Sequence, residues 1–360
     1  MVAAKFLSQA RLSMLYPDQV HDLMNLTLSL FKRRSWTDIS LEHQEYVANT
    51  IINDKSVKEQ GGKDINFKLK TQNTGNARNV GFFAQDVARV IDVSIECTVP
   101  WRKQTTNFSY DVDEPIFQSE REMIIDEMKM REHDCLSDLA ELNEENLWSA
   151  PTGPSDDRPF GVPYWMQKDA TTTPGGGFHG GNPSGFSAGC GGVSSIDYPR
   201  WRNWTFGYDT VAPLDFVKKV KKSLAFTHFR APVPHPELGY GKSMQSMYST
   251  YRVQDALERL AETRNDNLGN DVARYIGKVV IGGVPLTWVP FLEANDTSDP
   301  VYGINWRWFR PFVHKGRNNR RSKPMMSPGH TQHTMRTVHY DTWMNYICYN
   351  RRALFVGSKA

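Results

Sequence analysis

The stretch Asp113–Ser149 constrains the fold more than any other part of the chain. It reads DEPIFQSEREMIIDEMKMREHDCLSDLAELNEENLWS, and no Gly or Pro interrupts it between Pro115 and Pro151. Glu, Met, Leu, Lys and Arg favour a helix. Asp113 or Glu114 can cap the start, Pro115 suits a first turn, and Pro151 stops the helix. A helix of roughly 35 residues spans about 50 Å. At about 100° per residue, Phe117, Ile124, Met128, Cys135, Leu139 and Leu142 form one apolar stripe, which Ile125, Leu136 and Leu147 widen. Most acids lie elsewhere, Glu120, Glu127, Asp134 and Glu141 among them, and they far outnumber Arg121, Lys129 and Arg131. Such a face is either solvated or turned to a basic partner, which would make the helix a rod at a subunit contact.

The chain has 360 residues and a net charge of only +3, but the charge is segregated. From Val301 onward, bases including Arg317, Arg320, Arg321, Arg351 and Arg352 meet a single acid, Asp341. Either a nucleic-acid-binding patch or contact between copies of the chain would use such a basic end, and the near-neutral total favours the second. A hydrophobic content of 39% is enough for a core. No apolar run is long enough to cross a membrane, and no membrane partner is expected. The four cysteines form no CxxC pair, which fits free thiols in a reducing compartment.

Residues before 60 read as an arm with helical pieces, one of them Leu41–Ile52. In 63–112 apolar and polar residues alternate: Ile65, Phe67 and Leu69, then Ile91 to Val99, then Phe108, Tyr110 and Val112. The two long strands suggest a projecting hairpin, with Arg78 near its polar tip. Residues 151–212 are rich in Pro, Gly and aromatics. Gly175, Gly177 and Gly180 spell GxGxxG, but neither a strand before it nor a helix after it supports phosphate binding, so it reads as a loop. A helix is expected from Pro213 to His228, with Phe216, Val217, Val220 and Leu224 inward and Lys218, Lys219, Lys221 and Lys222 outward. Another is expected over Met244–Thr263. Lys278–Pro290 reads as strand, turn, strand. Further strands follow at Val301–Ile304, Trp308–Val313, Met335–Tyr340, Tyr346–Tyr349 and Leu354–Val356. This order points to an α+β fold.

Candidate chemistry is thin. His330, His333 and His339 have poor zinc spacing, and Cys190 with His179 would be a nucleophile pair on a Gly-rich loop. Neither is expected to be a site, so no metal, cofactor or catalytic residue is assigned. The clusters Trp201–Tyr208 and Trp306–Phe309, each beside arginines, read first as core and second as interface.

The order of parts resembles the major capsid protein of tailed bacteriophages, of the Hong Kong 97 type. The stretches GGVPLTWVPFLEANDTSDPVYGINWRWFRPFVHKG (Gly282–Gly316) and HTMRTVHYDTWMNYICYNRRALFV (His333–Val356) look like segments of such proteins. The resemblance covers roughly residues 60 to 360. It implies an N-terminal arm (1–62), an extended E-loop over the neighbouring subunit (63–111) and a peripheral-domain spine helix (112–150). An axial domain with a Gly/Pro-rich loop (151–330) and strands returning to the peripheral domain (331–360) would complete the chain. It further implies hexamers and pentamers in an icosahedral shell around double-stranded DNA, assembled in the host cytoplasm and resident in the virion. Partners would be other copies of the chain, a portal, a cement protein and DNA bound without sequence specificity. The short arm suggests a separate scaffold protein and no cleavage. Some relatives crosslink Lys to Asn; Lys68 and Lys70 lie on the expected E-loop, with no partner named. Contact candidates between subunits are Lys68, Lys70, Arg78, Glu120, Glu127, Asp134, Glu141, Arg317, Arg320, Arg321, Arg351 and Arg352. The alternative is a nucleic-acid-binding protein using the lysine helix and the basic C-terminal region.

Overall fold

The computed structural model describes residues 39–59, 61–82, 91–113, 121–169, 175–211, 214–228, 244–262, 279–326 and 333–359, with the backbone only at 59, 121–127, 214, 261 and 262. In chain order the elements are α1 (Val47–Lys55), β1 (Val57–Glu59), β2 (Asp64–Lys70), β3 (Ser94–Pro100), β4 (Arg102–Asp111) and α2 (Arg121–Trp148). Then come α3 (Val162–Trp165), β5 (Trp204–Tyr208), α4 (Leu214–Thr227), β6 (Gln245–Ser249), α5 (Tyr251–Glu262), β7 (Val280–Ile281) and β8 (Val284–Trp288). The chain ends with α6 (Pro290–Asn295), β9 (Val301–Asn305), β10 (Phe309–His314), β11 (Arg320–Arg321), β12 (Met335–Cys348) and β13 (Phe355–Lys359). The described residues divide into two compact units, one from 39–44, 103–143 and 313–344, the other from 45–102, 144–312 and 345–359.

In the first unit, β4 and β11 both pair with β12. The stripe of α2 meets them: Met128 and Cys135 pack with Phe108 and Tyr110 of β4 and with Val338 and Tyr340 of β12. Leu139 is also buried, Leu142 is half-buried and Leu136 is exposed, so the stripe is narrower than its widest reading. Phe117 lies outside the described residues, as does the expected start of the helix, and the Ile124 side chain is not described. The described helix has 28 residues.

The second unit holds a six-stranded sheet in the order β5-β13-β9-β6-β8-β7. The sheet is mixed: β5–β13 and β6–β8 are parallel, and β13–β9, β9–β6 and β8–β7 are antiparallel. The apolar face of α4 (Phe216, Val220, Leu224) and that of α5 (Val253, Leu257) share a core with Phe206, Met247, Leu286 and Phe355. Every residue of β5 and β9 is buried, as expected of strands covered on both faces. Glycine makes room for the packing: a Cβ on Gly303 would lie 2.0 Å from the Phe355 ring, and one on Gly357 would lie 2.2 Å from Phe206.

Three expectations are corrected here. Gln245–Ser249 is a strand, because its backbone is taken up by β8 and β9; the helix starts at Tyr251, where Glu293 of α6 accepts the Tyr251 N–H at 2.8 Å. The alternating run ending at Val112 does not extend the hairpin, since β4 joins β12. The final strand, expected to return to the spine helix, lies between β5 and β9 in the six-stranded sheet. The arm helix near Leu41–Ile52 falls at Val47–Lys55.

Candidate functional site

The hairpin β2–β3 is a separate two-stranded sheet with full register from Asp64↔Pro100 to Lys70↔Ser94. Its apolar residues pair across the strands, Ile65 with Val99, Phe67 with Cys97 and Leu69 with Ile95, so one face is greasy. Lys68 stands opposite Glu96 on the other face. Beyond Lys70 the ladder continues by one bond, Thr71 N–H to the Val93 carbonyl at 2.9 Å. Residues 72–82 are all exposed, Arg78 among them. Val80, Phe82 and Ile91 are exposed apolar groups at this end, with Phe82 100% exposed.

The acids of α2 have distinct fates. Glu132 accepts from the Tyr340 hydroxyl and pairs with Arg321 at 3.3 Å, so Arg321, expected at a subunit contact, is engaged within its own unit. Burial, and then Glu132, push the Tyr340 phenol well above its usual range. Glu141 accepts the Glu42 N–H at 3.3 Å. Glu144 is fully buried and accepts the Ala48 N–H at 2.7 Å and the Trp148 indole N–H at 2.8 Å. It thereby caps α1, whose own cap residue Tyr46 offers no side-chain bond. Burial raises the Glu144 carboxyl above the usual range, against those hydrogen bonds. Asp134 and Asp138 remain exposed. Glu120 lies outside the described residues, and the Glu127 side chain is not described.

The basic C-terminal region also splits. Arg317 and Arg320 are exposed around the turn from β10 to β11. Asp341, the Cα partner of Arg320, instead pairs with Lys103 at 3.1 Å. Burial pushes the Asp341 carboxyl up, but hydrogen bonds from Thr105 and Lys103 outweigh that and hold it below the usual range. Arg351 is no surface contact: it is fully buried. Its guanidinium donates to the carbonyls of Trp165 (2.8 Å), Trp201 (2.8 Å) and Gly181 (3.0 Å) and to Asn203 Oδ1 (3.2 Å). A rigid fork with five donors suits this cluster of acceptors, which orders the Gly-rich loop against the protein. Arg352, one residue on, is half-buried, and its guanidinium lies 4.2 Å from the centre of the Phe178 ring.

The catalytic candidates do not assemble. Cys190 donates its thiol to the Tyr164 carbonyl, and burial pushes its pKa up to about 11, away from a thiolate. His330 lies outside the described residues, and among those described no cluster of His, Cys, Asp or Glu is arranged to hold a metal ion. The aromatic clusters are mostly core: Trp201, Trp204, Phe206, Tyr208, Trp306 and Phe309 are buried.

No family model matches the sequence, and no curated protein matches it. Solved structures do. The chain is similar to the cyanophage A-1(L) capsid asymmetric unit at 14% identity and a TM-score of 0.58, covering 92% of this chain and 98% of that one. The fold is that of a phage capsid subunit. The capsid of Myoviridae phage XM1 is matched at 9% identity and a TM-score of 0.53, covering 91% of this chain and 97% of that one. The cyanophage Pam1 capsid asymmetric unit is matched at 15% identity and a TM-score of 0.50, covering 91% and 96%. At these identities the likeness is one of fold, and the capsid fold runs through nearly the whole chain. It agrees with the α+β, Hong Kong 97-type architecture expected from the sequence.

Proposed function

We propose that this chain is the major capsid protein of a tailed phage. It would assemble into hexamers and pentamers of an icosahedral shell around double-stranded DNA. The observation that carries this reading is coverage: a capsid fold accounts for 92% of the chain and 98% of the cyanophage A-1(L) chain, leaving little room for a separate catalytic domain. The hairpin supports it. Its far end exposes Val80, Phe82 and Ile91, apolar groups that a second copy would cover, which is the arrangement of an E-loop laid over a neighbour. Lys68 and Lys70 on the hairpin, Arg317 and Arg320 at the β10–β11 turn, and Asp134 on α2 are exposed charges that neighbouring copies would meet, and Arg78 is exposed near the hairpin tip. The role is structural rather than catalytic. Partners in this reading are a separate scaffold, a portal and a cement protein, with assembly in the host cytoplasm and residence in the virion.

Negative-stain microscopy and sedimentation of the purified chain, alone and with a candidate scaffold, test the proposal. Closed shells or capsomers are the expected result, and a persistent monomer under every condition removes it. Leu139→Asp should abolish particles, because it places a charge in the buried stripe of α2.

A further inference from the structure

Two basic regions far apart in sequence, the lysine helix and the C-terminal arginines, meet in the second unit. On α4, Lys218, Lys222 and Phe226 follow one another at four-residue spacing along one edge, with Lys221 beside them, and all are exposed. Phe226 stacks on Trp204 with centroids 4.9 Å apart, and the Lys222 ammonium lies 5.8 Å from the Trp204 ring centre. Trp204 meets Phe178 edge-on at 5.0 Å, and Phe178 carries the Arg352 guanidinium. Arg352 in turn lies close enough to exposed Arg200 that burial and that like charge both depress its pKa. Two cations, Lys222 and Arg352, are thus held by aromatic rings, with Lys218 and Lys221 beside the first on α4 and Arg200 beside the second. A ring positions a cation without cancelling its charge, whereas a carboxylate cancels it. Lys219 shows the contrast: it pairs with Asp215 at 2.8 Å and donates to the Gly207 carbonyl. Among the described residues, Lys218, Lys221, Lys222 and Arg200 have no carboxylate partner.

We propose that Lys218, Lys221, Lys222, Arg200 and Arg352 form a face that contacts the phosphates of duplex DNA, which in the shell reading is the packaged genome. The inference rests on that reading for its biological setting. An acidic face of a second copy fits less well. On α2, Glu132, Glu141 and Glu144 are engaged by tyrosine, arginine, indole and backbone donors, and Glu145 pairs with Arg158 at 3.2 Å. Among the acids of that helix whose side chains are described, only Asp134 and Asp138 are exposed. Duplex DNA offers charge at the needed density: Lys218 to Lys222 is about 6 Å along the helix, over which one strand presents about two phosphates. Ammonium groups suit such contacts and read no sequence.

Fluorescence anisotropy of the full-length, unassembled chain with a labelled duplex, taken from 50 to 200 mM salt, tests this. The variant Arg200→Gln/Lys218→Gln/Lys221→Gln/Lys222→Gln changes only exposed side chains. Its affinity should fall about tenfold or more, and the salt slope should drop by about 0.9 for each phosphate that is no longer neutralised. Unchanged affinity and slope overturn the proposal. So does displacement by poly-glutamate as effective as by unlabelled duplex, which would indicate an acidic protein partner. Microscopy of the same samples separates the two readings. Shells without cation-dependent duplex binding leave the capsid and remove this face. Cation-dependent binding with no shell under any condition removes the capsid and leaves a DNA-binding protein.

Discussion

The helices α2 and α4 both carry a one-signed charged face opposite an apolar stripe, yet the structure uses the charges differently. On α2 the carboxylates of Glu132, Glu141 and Glu144 accept from donors inside their own units. On α4, Lys218, Lys221 and Lys222 face outward, and among the described residues only Lys219 has an acidic partner. The difference lies in what surrounds each helix. A helix N-terminus, a buried indole and a tyrosine hydroxyl are donors, and an ammonium cannot satisfy them. Carboxylates are therefore drawn inward wherever backbone N–H groups end without partners. Ammonium groups on long stems stay in water unless a ring or a carbonyl holds them.

Adjacent arginines give the strongest test of this contrast between engaged and outward charge. Arg351→Met should cost about 3–5 kcal/mol, because it leaves the carbonyls of Trp165, Trp201 and Gly181 without their guanidinium donor and takes one of two donors from the Asn203 amide oxygen, which keeps the Gln167 N–H. Arg352→Met removes a stacked cation and should cost about 1 kcal/mol or less. Urea unfolding of the unassembled chain measures both. Equal losses would mean that burial of the guanidinium does not set its worth.

Glu144→Ala comes next. It uncaps α1 and orphans the Trp148 indole, and should cost about 2 kcal/mol, while Lys218→Ala should stay within about 0.5 kcal/mol. Protection of the Ala48 amide from hydrogen exchange should fall in the first variant alone. A Glu144→Ala chain as stable as wild type would show that the α1 cap is satisfied in some other way.

The stripe of Met128, Cys135 and Leu139, the hairpin strands, the lysine helix and the Gly282–Gly283 turn were legible because each depends on local periodicity or turn chemistry. Gln245–Ser249 was not: an apolar-poor run before a helix reads as its first turn, and only β8 and β9 make it a strand. Nor could periodicity separate Arg351 from Arg352, since the acceptors that draw Arg351 inward come from residues 165 to 203. The meeting of α4 with Arg352 on Trp204 and Phe178 was invisible for the same reason. The aromatic spacing in Phe178 and Trp204–Phe206 was present, but nothing in it names a partner far along the chain.

The smallest predicted effect is the pH dependence that Glu144 contributes. Burial raises its folded-state pKa above the unfolded value, with Glu45 adding to the rise and the hydrogen bonds from Ala48, Trp148 and Val47 opposing it. The stability from this group is therefore fully present below the unfolded value and is lost as pH rises through the folded one. Glu144→Gln keeps an acceptor for the Ala48 N–H but cannot titrate. Subtracting its unfolding free energy from that of wild type at each pH cancels the other titrating groups. The difference should shift in favour of wild type as pH falls from 8 towards 5, by no more than about 1.4 kcal/mol per pH unit. A difference that moves the other way would mean that the hydrogen bonds outweigh burial. The acidic helix would then hold α1 through a stabilised charge rather than a strained one.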